Sequence, residues 1–458
     1  MEIPIKKNDH FEMEIIDIGA DGEGIGKIND FIVFVPLAVV GDVVEVEVTK
    51  TKRNFGYGKI IRMITPSAFR EVPKCEAASR CGGCQIQHIA YPEQLKWKTK
   101  KVKEALRRIG GLGDIEVADT IGMESPFNYR NKAQYPIRKE DGELKIGFFA
   151  QRSYRIITSE GCVIQDVRNE QIIELVRAFL TKYNISIYND ETHEGLVRQL
   201  LIKTAYYTKE VMVCLVINGN TLTHQEKLIE LLQEVEGLTS IVLNHNTDKM
   251  NAAISTSTTV IYGKDYIVDK IGDLKFKISP VSFFQVNPIQ TKILYDKVLE
   301  FAQLTGTETL WDAYCGIGTI SLFLAEKAKM VYGVEVVSEA IENAKANAEL
   351  NGIQSIEFYT GKAEDIIPKM YEEGVRADII VVDPPRKGCD AKLLETISDM
   401  NPSKIIYVSC DPATLARDVA YLTQNGYKAD KVQPVDMFPH TVHVETVVLM
   451  SQKDSWKG

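Results

Sequence analysis

Thr309-Leu310-Trp311-Asp312-Ala313-Tyr314-Cys315-Gly316-Ile317-Gly318-Thr319 is the stretch that decides the fold of the C-terminal third of this chain. Its apolar first half reads as a strand. The strand runs into a turn whose glycines let the backbone bend tightly and approach a ligand. Residues 320–328 then read as a helix, and a second strand at 330–334 ends in Glu335, about twenty residues beyond the glycines. An acid placed there can accept hydrogen bonds from ribose hydroxyls. Further apolar strands at 379–382 and 404–409 alternate with amphipathic helices, the pattern of an α/β, Rossmann-like parallel sheet. A glycine turn alone also fits a plain strand-to-helix corner or a dinucleotide site. Three features favour S-adenosylmethionine instead: a glycine pattern shorter than G-x-G-x-x-G, the C-terminal position of the domain, and Asp383-Pro384-Pro385-Arg386 closing the fourth strand.

The prolines of that turn hold Asp383 at the carboxyl edge of the sheet, where ligands bind. The strand 404–409 delivers Cys410, in Ser409-Cys410-Asp411-Pro412-Ala413-Thr414, to the same edge. A thiolate there is chemically useful. Carbon 5 of uracil is a poor nucleophile, but thiolate addition to carbon 6 makes an enolate that can attack an electrophilic methyl group. The C5 proton must afterwards leave, and Glu445 in His443-Val444-Glu445-Thr446 is the base available to remove it. An unplaced cysteine is ordinarily a small buried hydrophobe, the reading given to Cys214, Cys315 and Cys389.

The 458 residues exceed what one hydrophobic core usually supports. We expect three domains: a β-barrel at 1–63, a mixed central domain at 64–280, and the Rossmann-like catalytic domain at 281–458. A helix at 92–110 would pack on the last of these. No apolar run approaches membrane-spanning length and no signal-peptide core opens the chain, which suggests a cytoplasmic protein with no membrane association and no evident obligate protein partner. The net charge of −9 argues against nonspecific nucleic-acid binding over the whole surface, whereas local basic stretches suit phosphate contacts. Lys96, Lys98, Lys100, Lys101, Lys103, Arg107 and Arg108 form one such stretch, against Glu104 alone. Tyr129 to Lys132 and Arg152 to Arg155 form a second. In the first domain, Lys50, Lys52, Arg53, Phe55 and Tyr57 mix cations with aromatics as base-stacking surfaces do.

Cys75, Cys81 and Cys84 stand as C-x5-C-x2-C, with Gly82-Gly83 bending the chain between two of them. Three thiols within ten residues suit a metal, and Cys162 is the fourth candidate. Ligand type alone leaves structural zinc and an iron-sulfur cluster open.

Together Phe283-Phe284-Gln285-Val286-Asn287, the glycine turn, Asp-Pro-Pro-Arg, the Cys410 segment and His-Val-Glu-Thr resemble the RNA uracil-5-methyltransferase family. The first domain resembles the TRAM module. The resemblance implies S-adenosylmethionine at Gln285, Tyr314, Gly316, Glu335 and Asp383, stacking of the target base near Phe283, Cys410 as nucleophile and Glu445 as proton acceptor. It also implies a [4Fe-4S] cluster on Cys75, Cys81, Cys84 and Cys162, in preference to zinc. The barrel and the cysteine loop point to the branch acting on 23S ribosomal RNA, since the tRNA branch is expected to lack both. Two other readings are an enzyme methylating an exocyclic base amine, which needs no thiolate, and an RNA-binding protein with a degenerate cofactor fold.

Overall fold

The computed structural model describes residues 4–113, 115–158, 161–249 and 254–453. Glu160, beside Cys162, and the outermost residues of the first and last expected domains lie outside these.

Alternating residues such as Val44, Val46 and Val48 point inward from their strand, and five such strands close a small barrel over His10–Ile18, Gly24–Ile28, Phe31–Val35, Val43–Thr51 and Phe55–Thr65. Closure removes the sheet edges that so short a domain would otherwise expose. The central part is built on a six-stranded sheet from Lys132 to Gly263, with helices Arg168–Lys182 and Gln225–Leu232 packed together. Its Val197–Thr204 and Val211–Ile217 strands are buried along their whole length.

The C-terminal part carries seven strands in the order Ile356–Thr360, Met330–Glu335, Thr309–Ala313, Ile379–Val382, Lys404–Ser409, Glu445–Gln452, Tyr427–Val435. The first five are parallel, and the last two join as an antiparallel pair. The winding direction reverses between Thr309–Ala313 and Ile379–Val382, so a crevice opens at their carboxyl ends.

Packing and composition divide the chain differently. The Ile267–Ile271 and Leu274–Ile278 hairpin falls within the expected central domain, yet Ile271, Phe276 and Ile278 share one core with Leu294, Leu310 and Val331 of the parallel sheet. Residues 118–121 run beside the edge strand Tyr427–Val435, with Ala118 N–H donating to Val432 O.

Helix Tyr91–Arg108 changes the reading of the basic stretch. It packs on helix Pro412–Gln424 and buries Gln94, Trp97, Lys98, Val102 and Leu106, while Ile109 is exposed. Lys98 is therefore not an RNA-facing lysine. Its ammonium lies 2.5 Å from Asp436, both side chains fully buried, and also donates to Phe438 O. Tyr91 donates its hydroxyl to the other Asp436 oxygen at 2.9 Å. Lys101 is committed as well, to Ala20 O and Val442 O, and Lys100 pairs with Asp17 of the barrel. Lys103, Arg107 and Arg108 stay at the surface.

Removing one member of a buried pair strands the other charge, at a cost of about 3–5 kcal/mol. Lys98→Met should therefore lose roughly that much in denaturant unfolding, and the Lys98→Met/Asp436→Asn double variant clearly less. Equal losses in the two variants would mean that Asp436 is not left uncompensated.

Candidate active site

A cavity of about 660 Å³ occupies the crevice at the sheet's carboxyl edge. Its floor is the glycine turn. Tyr314, Gly316 and Gly318 take φ of 69°, 56° and 81°, the left-handed region, which in Tyr314 marks a residue held against its preference. At Gly318 a Cβ would come to 3.0 Å from the Phe358 ring in a left-handed backbone, so glycine is favoured there. Glu335 is fixed by two backbone donors, Gly316 N–H at 3.2 Å and Val337 N–H at 3.0 Å. Asp312 is wholly buried; one of its oxygens accepts the Ser321 hydroxyl, and the other has no hydrogen-bond partner among the described residues. Burial raises its pKa to about 7.

Strand pairing forms the opposite wall. Lys404–Ser409 and Glu445–Gln452 run antiparallel with Ser409 opposite Thr446, so one step further along the edge Cys410 comes opposite Glu445. Asp411 then accepts the N–H groups of Ala413 and Thr414 and starts the next helix, which fixes Cys410 between strand end and helix start. Asp383 faces the same cavity from the Asp-Pro-Pro turn.

Two segments from outside the sheet complete the cavity. One carries Phe283 and Gln285. Lys203, 3 % exposed, donates to Ser279 O at 2.7 Å and Ser282 O at 2.8 Å, and Asn131 donates to Gln285 O and Val286 O. Gln285 is thus buried, while Phe283 remains 66 % exposed on a pinned loop. The second segment, 436–445, carries Phe438, His443 and Glu445. Besides the Lys98 pair, Tyr129 hydroxyl holds it through Pro439 O, Asn287 through Met437 O, and Gln94 through His440.

All eight residues expected for cofactor, base and catalysis (Phe283, Gln285, Tyr314, Gly316, Glu335, Asp383, Cys410 and Glu445) line this one cavity. Asp312, Arg386 and His443 line it too and were given no role in the sequence, although each lies inside a quoted motif. Lys98 and Lys203 were missed as anchors. The signal for Lys203 was a cation directly after the apolar run Leu200-Leu201-Ile202, in a strand that also carries Arg198.

Electrostatics oppose ionisation here. Burial first, then the charges of Glu445 and Asp383, push the Cys410 thiol up to about 12, while Arg386 works in the other direction. Glu445 lies well above the usual carboxylate range because it is buried and faces Asp383, itself raised to about 7 by burial. Desolvation thus outweighs the helix N-terminus that follows Cys410.

Cys75, Cys81, Cys84 and Cys162 line a second cavity of about 370 Å³, and Phe283 lies in the walls of both. Burial and then the neighbouring thiols Cys162, Cys81 and Cys75 raise Cys84 to about 12. Among the described residues, no three or more His, Cys, Asp or Glu are grouped so as to hold a metal ion. Cys214, Cys315 and Cys389 are buried, as expected of structural cysteines.

Comparison with known proteins follows this geometry. The family model for tRNA (uracil-5-)-methyltransferase matches residues 90–453. The chain belongs to that family. A TRAM domain model matches residues 8–61. An uncharacterized RNA methyltransferase of Clostridium tetani is 51 % identical over 98 % of each chain, and one of Bacillus cereus 48 % identical over 99 % of this chain and 98 % of its own. The crystal structure of Pyrococcus abyssi tRNA (uracil-54, C5)-methyltransferase in complex with S-adenosyl-L-homocysteine superposes with a TM-score of 0.76 at 28 % identity, covering 96 % of this chain and 99 % of that one. This uracil-5-methyltransferase family member is an enzyme, with the barrel and Rossmann-like sheet expected from its sequence.

A thiol at about 12 is almost wholly protonated at neutral pH, and its thiolate fraction grows tenfold per pH unit. Site-resolved alkylation of the free protein should therefore show Cys410 reacting slowly at pH 7 and about tenfold faster per unit up to pH 10. A plateau near pH 8 would contradict the shift.

Proposed function

We propose that this enzyme methylates carbon 5 of uridine in 23S ribosomal RNA, with S-adenosylmethionine as donor and Cys410 as covalent nucleophile. One observation carries the mechanism: the register that brings Cys410 and Glu445 to the same edge of the sheet, beside the glycine turn. An exocyclic-amine methyltransferase has no use for that pairing.

S-adenosylmethionine supplies an electrophilic methyl group. The residues present fit it: Glu335 for the ribose hydroxyls, the Gly316 turn for close backbone approach, and Gln285, Tyr314 and Asp383 as walls. Once its proton has passed to solvent, the Cys410 thiolate bonds to carbon 6 of the uracil, and the electron pair of the C5–C6 double bond becomes an enolate nucleophilic at carbon 5. Once carbon 5 bears the new methyl group, Glu445 takes its proton. The electrons left behind rebuild the double bond and expel the thiolate. In its ionised form, a carboxyl raised by burial is a stronger base than an ordinary one, and that form of Glu445 takes the proton. Arg386 favours the thiolate form of Cys410. Phe283, exposed at the cavity, offers a ring to a base flipped out of its helix.

The cysteine cavity supports a [4Fe-4S] cluster over a single zinc ion. The four thiols line one space, and none of its lining residues is a carboxylate.

A second reading, tRNA as substrate, is favoured by the Pyrococcus abyssi structure. That tRNA enzyme overlaps this chain so fully that fewer residues are left out than the barrel contains. The barrel therefore does not by itself select ribosomal RNA. Methyl transfer to 23S ribosomal RNA fragments and to tRNA transcripts, with 5-methyluridine located by mass spectrometry, separates the two. Methylation of tRNA alone would overturn the ribosomal assignment.

Cys410→Ala should abolish methylation while binding of S-adenosyl-L-homocysteine changes less than about threefold, about 0.7 kcal/mol. Glu445→Gln should form a covalent RNA adduct that persists, seen as a denaturation-resistant band. Activity in the first variant, or no adduct in the second, would sink the mechanism.

A further inference from the structure

His443 lines the methyl-transfer cavity together with Cys410, Asp383 and Glu445, yet no step of the methyl transfer uses it. Val444, between His443 and Glu445, is fully buried. Alternation along an extended chain therefore turns the imidazole and the carboxyl to the same side, toward the cavity that both line. The backbone here is held in place. Val442 donates its N–H to Gln85 Oε1 at 3.3 Å, Lys101 donates to Val442 O at 2.8 Å, and His443 N–H donates to Thr441 Oγ1 at 3.3 Å. Phe438 meets the imidazole nearly edge-on, with ring centres 6.0 Å apart at 77°. The residue is half-buried, and neither ring nitrogen has a hydrogen-bond partner among the described residues. His88 and His440 each enclose an unpartnered Nε2, but the nitrogens of His443 are not enclosed and so open onto the cavity.

The ring is also uncharged at neutral pH. Burial, and then the charges of Arg386, Lys101, Lys98 and Arg130, lower its pKa to about 4. A neutral imidazole carries one N–H, which polarises a carbonyl without handing over its proton. Thiolate addition at carbon 6 pushes the electrons of the C5–C6 double bond toward carbon 4 and leaves negative charge on O4. That charge develops in a cavity walled by Asp312, Asp383 and Glu445, so it needs a donor already in position.

We propose that His443 is a further catalytic residue, donating a ring N–H to O4 of the uracil as the enolate forms. This rests on the covalent mechanism assigned to Cys410. Glu445 and His443 then divide the chemistry: the carboxyl takes the C5 proton, and the imidazole holds the charge at O4. Arg386, also in the cavity wall, is exposed and acts on the thiolate.

The test uses the full chain and whichever RNA the wild type methylates, with 5-fluorouridine at the target position. Fluorine cannot leave as a proton, so the reaction stops at the covalent adduct, whose rate of formation is read on a denaturing gel. His443→Phe keeps a ring and loses both nitrogens; His443→Gln keeps an amide N–H. Adduct formation should slow about 100-fold in His443→Phe, the usual loss for one such donor, and recover about tenfold of that in His443→Gln. Binding of S-adenosyl-L-homocysteine should stay within about threefold of wild type in both. Replacing the target by 4-thiouridine, whose sulfur accepts hydrogen bonds weakly, should slow single-turnover methylation relatively more in the wild type than in His443→Phe. An adduct rate in His443→Phe within about threefold of wild type, or an equal 4-thiouridine effect in the two proteins, would overturn the role of His443. Loss of S-adenosyl-L-homocysteine binding in step with the rate would overturn it too, by assigning the ring to packing. Absence of an adduct with the wild type would instead defeat the Cys410 mechanism, a failure seen before any variant is made.

Discussion

The antiparallel pairing of Glu445–Gln452 with Lys404–Ser409 is the constraint on which this site depends. Side chains alternate across a strand, so the register that sets Ser409 opposite Thr446 also decides which face Glu445 occupies. A slip of one residue would turn the carboxyl away from Cys410. The register is protected by burial: Ile405, Ile406, Val447 and Val448 are all fully buried on the two faces of the sheet. The chemistry therefore draws its precision from an apolar core, with no need for direct bonds between the reacting groups.

Closing the cavity falls to the other half of the chain. Buried lysines hold both covering segments by their backbone carbonyls, Lys98 at Phe438 and Lys203 at Ser279 and Ser282. Their electrostatic settings differ. Lys98 has the Asp436 carboxylate, whereas Lys203 is buried with backbone acceptors, and its pKa falls well below the usual lysine value through burial and the nearby Lys132. A pinned loop binds its ligand without losing further conformational freedom, which explains how Phe283 stays exposed yet placed. The barrel joins the same arrangement, since Trp97 donates to Ile18 O and Lys101 bridges Ala20 and Val442. An RNA held by the barrel is thereby held in a defined relation to the cavity.

Burial is the common cause of the unusual acidities. It raises Asp312, Asp383, Glu445 and Cys410 together, and their mutual repulsion adds to the effect. Such a cluster is expensive in the free protein and is retained where function needs it. The thiols of the second cavity follow the same rule, burial raising Cys84 and Cys162 and the neighbouring thiols adding to it.

Local pattern was enough to reveal the strands at 379–382 and 404–409 and the glycine turn, because alternation and glycine placement are properties of adjacent residues. It also brought out the chemistry-bearing residues, since Cys410, Glu445 and Asp383 lie in short motifs at strand ends. What it misjudged was long-range. Lys98 read as a surface charge because six basic neighbours surround it, and only the packing of its helix against Pro412–Gln424 turned it inward toward Asp436. The hairpin 267–278 read as part of the central domain because it is β-rich, yet its apolar face joins the core of the parallel sheet. The place of Gln87 and Arg130 in the wall of the cysteine cavity was likewise invisible, as they come from separate segments. Sequence by itself determined which groups can react and which elements form. The tertiary structure decided which groups meet and which charges are buried, because both depend on contacts between residues hundreds of positions apart.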